Sequence, residues 1–114
     1  MKILLVDNEK EIRELLKDMI QAIYQEPCSI EEAEGVSTAF QKIHSFQPDL
    51  VFLDVEMGDG TGFDLMQKIP NPAFQLVFTT AHNQYAIQAF KYSAIDYLLK
   101  PIDITELETC IRKA

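Results

Sequence analysis

Leu50-Val51-Phe52-Leu53-Asp54 is a run of four large apolar residues closed by a carboxylate. Consecutive apolar side chains leave neither face of a strand polar. The segment therefore reads as a strand buried on both faces, as a parallel sheet with helices on either side requires. It is the most apolar segment of the chain and so reads as central. Pro48-Asp49 breaks the chain before it, and Gly58, Gly60 and Gly62 recur in a loop expected from Asp54 to Gly62. Two further apolar runs end in charge: Ile3-Leu4-Leu5-Val6 before Asp7, and Tyr97-Leu98-Leu99 before Lys100 and Pro101. The ends of parallel strands gather at the carboxyl edge of a sheet, where open α/β sheets bind ligands. Two carboxylates and an ammonium at that edge point to a small site for a metal ion and a phosphoryl group.

Outward from this segment, strands and helices alternate. Ile12, Leu15, Leu16, Met19, Ile20 and Ile23 recur at helical spacing, with Glu9 and Glu11 in the first turn and Glu26-Pro27 as the stop. Cys28 to Glu34 is a more polar strand, as edge strands are. Gly35 opens a second helix with Val36, Ala39, Phe40, Ile43 and Phe46 on one face. Phe63 to Ile69 is a short helix stopped by Pro70-Asn71-Pro72, and Phe74 to Thr79 a strand with Thr80-Ala81 at its end. Asn83 to Lys91 is a helix, Ile95 to Leu99 the fifth strand and Ile104 to Lys113 the last helix. Short links between alternating elements indicate a parallel sheet covered on both faces.

The 114 residues fit one domain, expected to span 1–114, and bury roughly 65% of the unfolded surface. A net charge of −8 argues against a direct grip on nucleic acid. Acidity gathers around Asp7, Glu9, Asp54, Glu56 and Asp59, which suits a cation, although net negative charge also serves solubility. Cys28 and Cys110 have no metal-type spacing. Free thiols in a reducing cytoplasm are the favoured reading, and a disulfide stays open. No apolar run approaches the roughly 18 residues of a membrane span, and the N-terminus is a strand, not a signal peptide. The last helix is still running at the C-terminus, so a domain cut from a longer protein is expected.

Asp7 after the first strand, Asp54 after the third, Thr80 on the fourth and Lys100-Pro101 after the fifth resemble the receiver domain of bacterial response regulators. The resemblance covers essentially the whole chain and rests on Val6-Asp7-Asn8-Glu9, Leu53-Asp54-Val55-Glu56-Met57 with Gly62, Thr80-Ala81, and Tyr97-Leu98-Leu99-Lys100-Pro101 taken together. Phe78 to Phe90 and Ala94 to Tyr97 are similar to receivers attached to LytTR-type DNA-binding output domains. The resemblance implies a flavodoxin-like, doubly wound, five-stranded parallel sheet of order 2-1-3-4-5 with five helices. It also implies a cytoplasmic protein, a histidine kinase or phosphotransfer protein as donor, and a homodimer on phosphorylation. DNA would be reached only through an output domain absent from this chain.

By the same resemblance Asp54 accepts the phosphoryl group and Lys100 balances charge before and after reaction, its bond to Pro101 being cis. Thr80 reaches the phosphoryl oxygen, and Tyr97 turns inward as the switch. Mg²⁺ would touch Asp7, Asp54, the residue after Asp7 and the backbone carbonyl of Glu56, and hard oxygen ligands suit it. The chain departs from the pattern at Asn8, where a second acid is usual. This predicts weaker Mg²⁺ binding, partly offset by Glu9. Asn8 also reads as the N-cap of the first helix. Gly58 replaces a common proline and loosens the loop. His44 reads as a solvated helix end and His82 as a loop residue beside the site; Phe90 and Tyr92 are candidate dimer contacts. Three other readings compete. A phosphorylation-independent dimerisation module is favoured by Asn8 and Gly58 but opposed by the Asp54, Thr80 and Lys100 set. An aspartate-nucleophile phosphatase would use Glu56 as general acid, yet the chain lacks a cap domain to enclose a substrate. A flavin binder would need a Gly-rich loop after the first strand, and none is there. The expected role is a switch that assists its own phosphorylation and dephosphorylation, not a metabolic enzyme.

Overall fold

The computed structural model describes residues 1–114, except that the side chains of Asn83, Ile87 and Phe90 lie outside the described residues. Five strands, β1 (Lys2–Val6), β2 (Ser29–Ala33), β3 (Leu50–Asp54), β4 (Gln75–Thr80) and β5 (Asp96–Leu99), form one parallel sheet of order β2-β1-β3-β4-β5. The strand with the continuous apolar run is central, and the polar β2 is an edge. Helices α1 (Lys10–Ile23), α2 (Val36–Phe46), α3 (Gly62–Gln67), α4 (Ala86–Phe90) and α5 (Ile104–Lys113) cover its two faces.

Alternation along the strands sorts the core into two clusters. Ile3, Leu5, Leu50, Phe52, Val77 and Leu98 meet Leu16 and Ile20 of α1 and Leu107, Cys110 and Ile111 of α5. Leu4, Val6, Val51, Leu53, Leu76 and Phe78 meet Val36, Ala39 and Ile43 of α2 and Phe63, Leu65 and Met66 of α3. Cys28 and Cys110 are free thiols, and burial pushes the Cys110 thiol up to about 12. His44 is exposed on α2, its Nδ1 2.8 Å from the Phe40 carbonyl. Tyr92 is half-buried, stacked on Phe63 at 5.7 Å between ring centroids, and so belongs to the core edge more than to an open contact surface. The reading of Phe90 as a dimer contact falls on a side chain outside the described residues. Among the described residues no helix is long and apolar enough to cross a membrane.

Three local expectations are corrected. Asn8 is not the cap of α1: Glu9 holds the N-cap position, and the turn is closed by Asp7 Oδ1, which accepts the Glu9 N–H at 2.9 Å. Asn8 lies one residue before the cap position, and no side chain caps this helix. The stretch from Asp54 to Gly62 is not wholly loop, because Glu56–Met57 pairs antiparallel with Gly60–Thr61. Gly60 makes that turn possible, at φ +146° where side chains rarely go. Asn83–Tyr85 forms a 3₁₀ turn before the short α4 instead of one continuous helix.

Gly62 locks the end of β3 from below. Its N–H donates to the Val55 carbonyl at 2.8 Å, and an added Cβ would stand 2.6 Å from the Asp54 backbone oxygen and 2.9 Å from Leu53 Cγ. Backbone cannot yield as a side chain does. Gly62→Ala is expected to cost about 1–3 kcal/mol in urea unfolding. Gly58→Ala, whose Cβ meets nothing within 4 Å, should stay within about 0.5 kcal/mol of the parent.

Candidate functional site

The parallel ladder delivers the site residues to one edge. Val55 N–H donates to the Thr79 carbonyl at 2.9 Å and Lys100 N–H to the Thr80 carbonyl at 2.7 Å, so pairing continues past the strand ends. Asp7 N–H likewise donates to the Ala33 carbonyl at 3.1 Å. Arg13 secures the end of β1 with Nη1 on the Asp7 carbonyl at 2.6 Å, while its Nε pairs with Glu32 on β2 at 2.9 Å. Sequence reasoning missed this arginine, which sits on the polar side of an ordinary amphipathic helix.

Asp7 and Asp54 are only 1% and 3% exposed, and Thr80 is equally buried. Lys100 joins the two acids: its Nζ lies 2.7 Å from Asp7 Oδ2 and 3.4 Å from Asp54 Oδ1, and its bond to Pro101 is cis. The closer partner is Asp7. Burial works against the ammonium, but the two carboxylates outweigh it and hold Lys100 above the ordinary lysine value. Burial first, and then the Asp7 charge, push the Asp54 carboxyl up to about 6, against the pull of Lys100 and of the Glu56 N–H that reaches Oδ1 at 3.4 Å.

The other expected residues separate into two groups. Thr80 Oγ1 accepts the His82 N–H at 3.1 Å, and the Tyr97 hydroxyl donates to the His82 carbonyl. Both candidate switch residues thus hold the same peptide segment. The Glu56 carboxylate meets His82 Nε2 at 3.0 Å, with both side chains about half exposed at 51% and 50%. Neither partner's sequence context revealed that pair, since Glu56 lies on the hairpin after β3 and His82 on the loop after β4. Asn8, by contrast, is exposed on the turn after β1.

Among the described residues no cluster of three or more His, Cys, Asp or Glu is placed to hold a metal. Two carboxylates do converge, and buried Asp7 Oδ2 has the Lys100 ammonium, 2.7 Å away, as its close polar partner. A donor set of two carboxylates sharing a single ammonium fits a hard divalent cation. Mg²⁺ is commonly held by one or two carboxylates and keeps several waters.

The folded value of about 6 for Asp54 lies above the ordinary 3.8. The folded chain therefore binds this proton more tightly than the unfolded one. The resulting stability is complete below pH 3.8 and is lost as pH rises through about 6. Asp54→Asn, neutral and nearly isosteric, is expected to raise metal-free stability at pH 8 by about 1–2 kcal/mol, allowing for solvent screening at the site mouth. Urea unfolding at pH 8 and pH 4 checks this, and the gain should vanish at the lower pH.

The sequence matches the family described as response regulator receiver domain over residues 3–112. It is 39% identical over 116 aligned positions to the sensory transduction protein LytT of Enterococcus faecalis, covering 100% of this chain and 48% of that protein. LytT of Bacillus subtilis is 36% identical over 116 positions, covering 99% and 47%. The chain spans about half the length of these relatives. Among solved structures, the response regulator protein TrrA of Thermotoga maritima, in complex with Mg(2+)-BeF, matches at TM-score 0.84 and 32% identity over 98% of this chain and 96% of that one. The response regulatory domain of mrkE from Klebsiella pneumoniae matches at TM-score 0.88 and 26% identity, over 99% and 93%. The names of the LytT relatives agree with the likeness seen between Phe78 and Tyr97. The edge-of-sheet site built from Asp7, Asp54, Thr80 and Lys100 is therefore carried by a chain that belongs to the response regulator receiver domain family.

Proposed function

We propose that Asp54 accepts a phosphoryl group from a histidine kinase or phosphotransfer protein in the cytoplasm, with Mg²⁺ at the site, and that the change is read on the surface formed by α4, β5 and α5. The observation that carries this reading is the buried Asp54 carboxylate beside Asp7, with the Lys100 ammonium reaching both at 3.4 and 2.7 Å. With its carboxyl at about 6, Asp54 is mostly ionised at neutral pH and available as a nucleophile. Its oxygen forms the new P–O bond while the donor's P–N bond breaks, and the electron pair returns to the donor imidazole. Asp7, the Asp54 carboxylate, the Glu56 backbone carbonyl and the Asn8 amide oxygen are the groups that would hold Mg²⁺. When bound, the cation neutralises charge on the transferred group. Lys100 supplies the protein's own positive charge to the same oxygens.

The switch is supported by the shared hold on His82. If Thr80 turns its hydroxyl to the phosphoryl oxygen, it gives up the His82 N–H. The segment whose carbonyl receives Tyr97 is then free to repack. A missing C-terminal output domain that binds DNA is supported by the chain's length, about half that of the LytT relatives. The net charge of −8 supports a reading in which nucleic acid is contacted by that other domain and not by this one. A homodimer formed on phosphorylation belongs to the same proposal. The competing reading, a dimerisation module independent of phosphorylation, draws support from the exposed Asn8.

Incubation with a small acyl-phosphate donor and Mg²⁺ should add one phosphoryl group to the intact mass, and Asp54→Asn should abolish the gain. An unmodified parent chain under those conditions would overturn the proposal and leave the dimerisation module. Asn8→Asp should tighten Mg²⁺ binding in a calorimetric titration, because it restores an anionic ligand beside Asp7. Unchanged affinity would show that Asn8 does not weaken the site.

A further inference from the structure

Asp59 is one of the acids whose clustering suited a cation, yet the structure gives its carboxylate another task. Oδ1 accepts the Val36 N–H at 2.8 Å and Oδ2 the Ser37 N–H at 3.2 Å. These are donors at the start of α2, which helices leave without an internal partner. The N-cap residue itself, Gly35, has no side chain to serve them. The cap is therefore supplied from 23 residues away in sequence. Gly35 also makes room for it, since a Cβ there would stand 2.7 Å from Asp59 Oδ1. The two amide donors hold the Asp59 carboxyl below its ordinary value, as bonds to the ionised form do.

Asp59 sits at the tip of the small hairpin in which Glu56–Met57 pairs with Gly60–Thr61. The stem of that hairpin carries Glu56, whose N–H touches Asp54 Oδ1 at 3.4 Å and whose carbonyl is a proposed metal ligand. At the turn, Gly58 has open space around it and offers no restraint of its own. The tip is held by the contact with α2, and the open cleft beside it is lined by Asn8, Gly35 and Asp59 together. We infer that Asp59 is a positioning residue: by capping α2 it fixes the hairpin against the helix, holds the Glu56 backbone in place, and so sets the Mg²⁺ affinity of the Asp54 site. The inference rests on the phosphoacceptor reading, because it concerns that reading's metal.

The test is titration of the 114-residue chain with Mg²⁺ alone, followed by calorimetry and by the Glu56 amide NMR shift, with metal-free unfolding midpoints recorded for every variant. Asp59→Ala should weaken Mg²⁺ binding about 10-fold, the scale on which groups that orient metal ligands act. Asp59→Asn keeps an acceptor oxygen and should stay within about 3-fold of the parent, since Asn caps helices as well as Asp. Gly35→Ala leaves Asp59 intact but displaces its carboxylate; at φ −164° the backbone itself accepts alanine. It should reproduce the loss, and the double variant should lose no more than either single one. If Asp59→Ala does not fold, Gly35→Ala carries the same comparison. Lowered unfolding midpoints with unchanged Mg²⁺ affinity would overturn the inference and leave the phosphoacceptor reading intact. A parent chain that binds no Mg²⁺ would overturn both.

Discussion

The Lys100 ammonium, 2.7 Å from Asp7 and 3.4 Å from Asp54, is the contact on which the carboxyl edge of this sheet depends. Two carboxylates, each nearly inaccessible to water, would repel one another and face a steep desolvation cost without a cation between them. The strand order explains why a lysine does this. Asp7 and Asp54 follow neighbouring strands, but β5 is separated from β3 by β4. Only a long, flexible side chain spans that gap as a point charge. Balance is incomplete even so, since two carboxylates share one ammonium. The site is left with unspent negative charge that a divalent cation complements.

Around that contact the fold supplies rigidity below and adjustable loops above. The apolar faces of β3 rest on α1 and α5 on one side and on α2 and α3 on the other, so the end of the strand has little freedom. Above the sheet, each loop is held by a few polar contacts. The hairpin after β3 leans on α2 through Asp59, and the segment after β4 is tied through His82 to Thr80, Tyr97 and Glu56. Contacts of this kind exchange partners cheaply, as the proposed switch on one phosphoryl group would require.

The sheet and its charged edge were legible because they depend on local pattern. The uninterrupted run Leu50–Leu53 can be satisfied only by cover on both faces, and β2 reads as an edge from its glutamates. Asp7, Asp54 and Lys100 stand out because each ends an apolar run, whereas Thr80 is singled out only by the family resemblance. What remained hidden depends on contacts between distant segments. Nothing around Asp59 announces that it caps a helix 23 residues earlier, nor does the context of Glu56 reveal His82. Asn8 is not the helix cap because α1 starts one residue later than an Asn8 cap requires, with Glu9 at the cap position, and sequence patterns place helix starts only to within a residue or two.

The charge balance at the site is open to direct measurement by ¹³C NMR titration of the Asp54 side-chain carboxyl in the metal-free chain. A midpoint of about 6, moving higher when Lys100 is replaced by methionine, is the predicted result. A midpoint at the ordinary 3.8, unmoved by that replacement, would contradict the account of two buried carboxylates held by one ammonium.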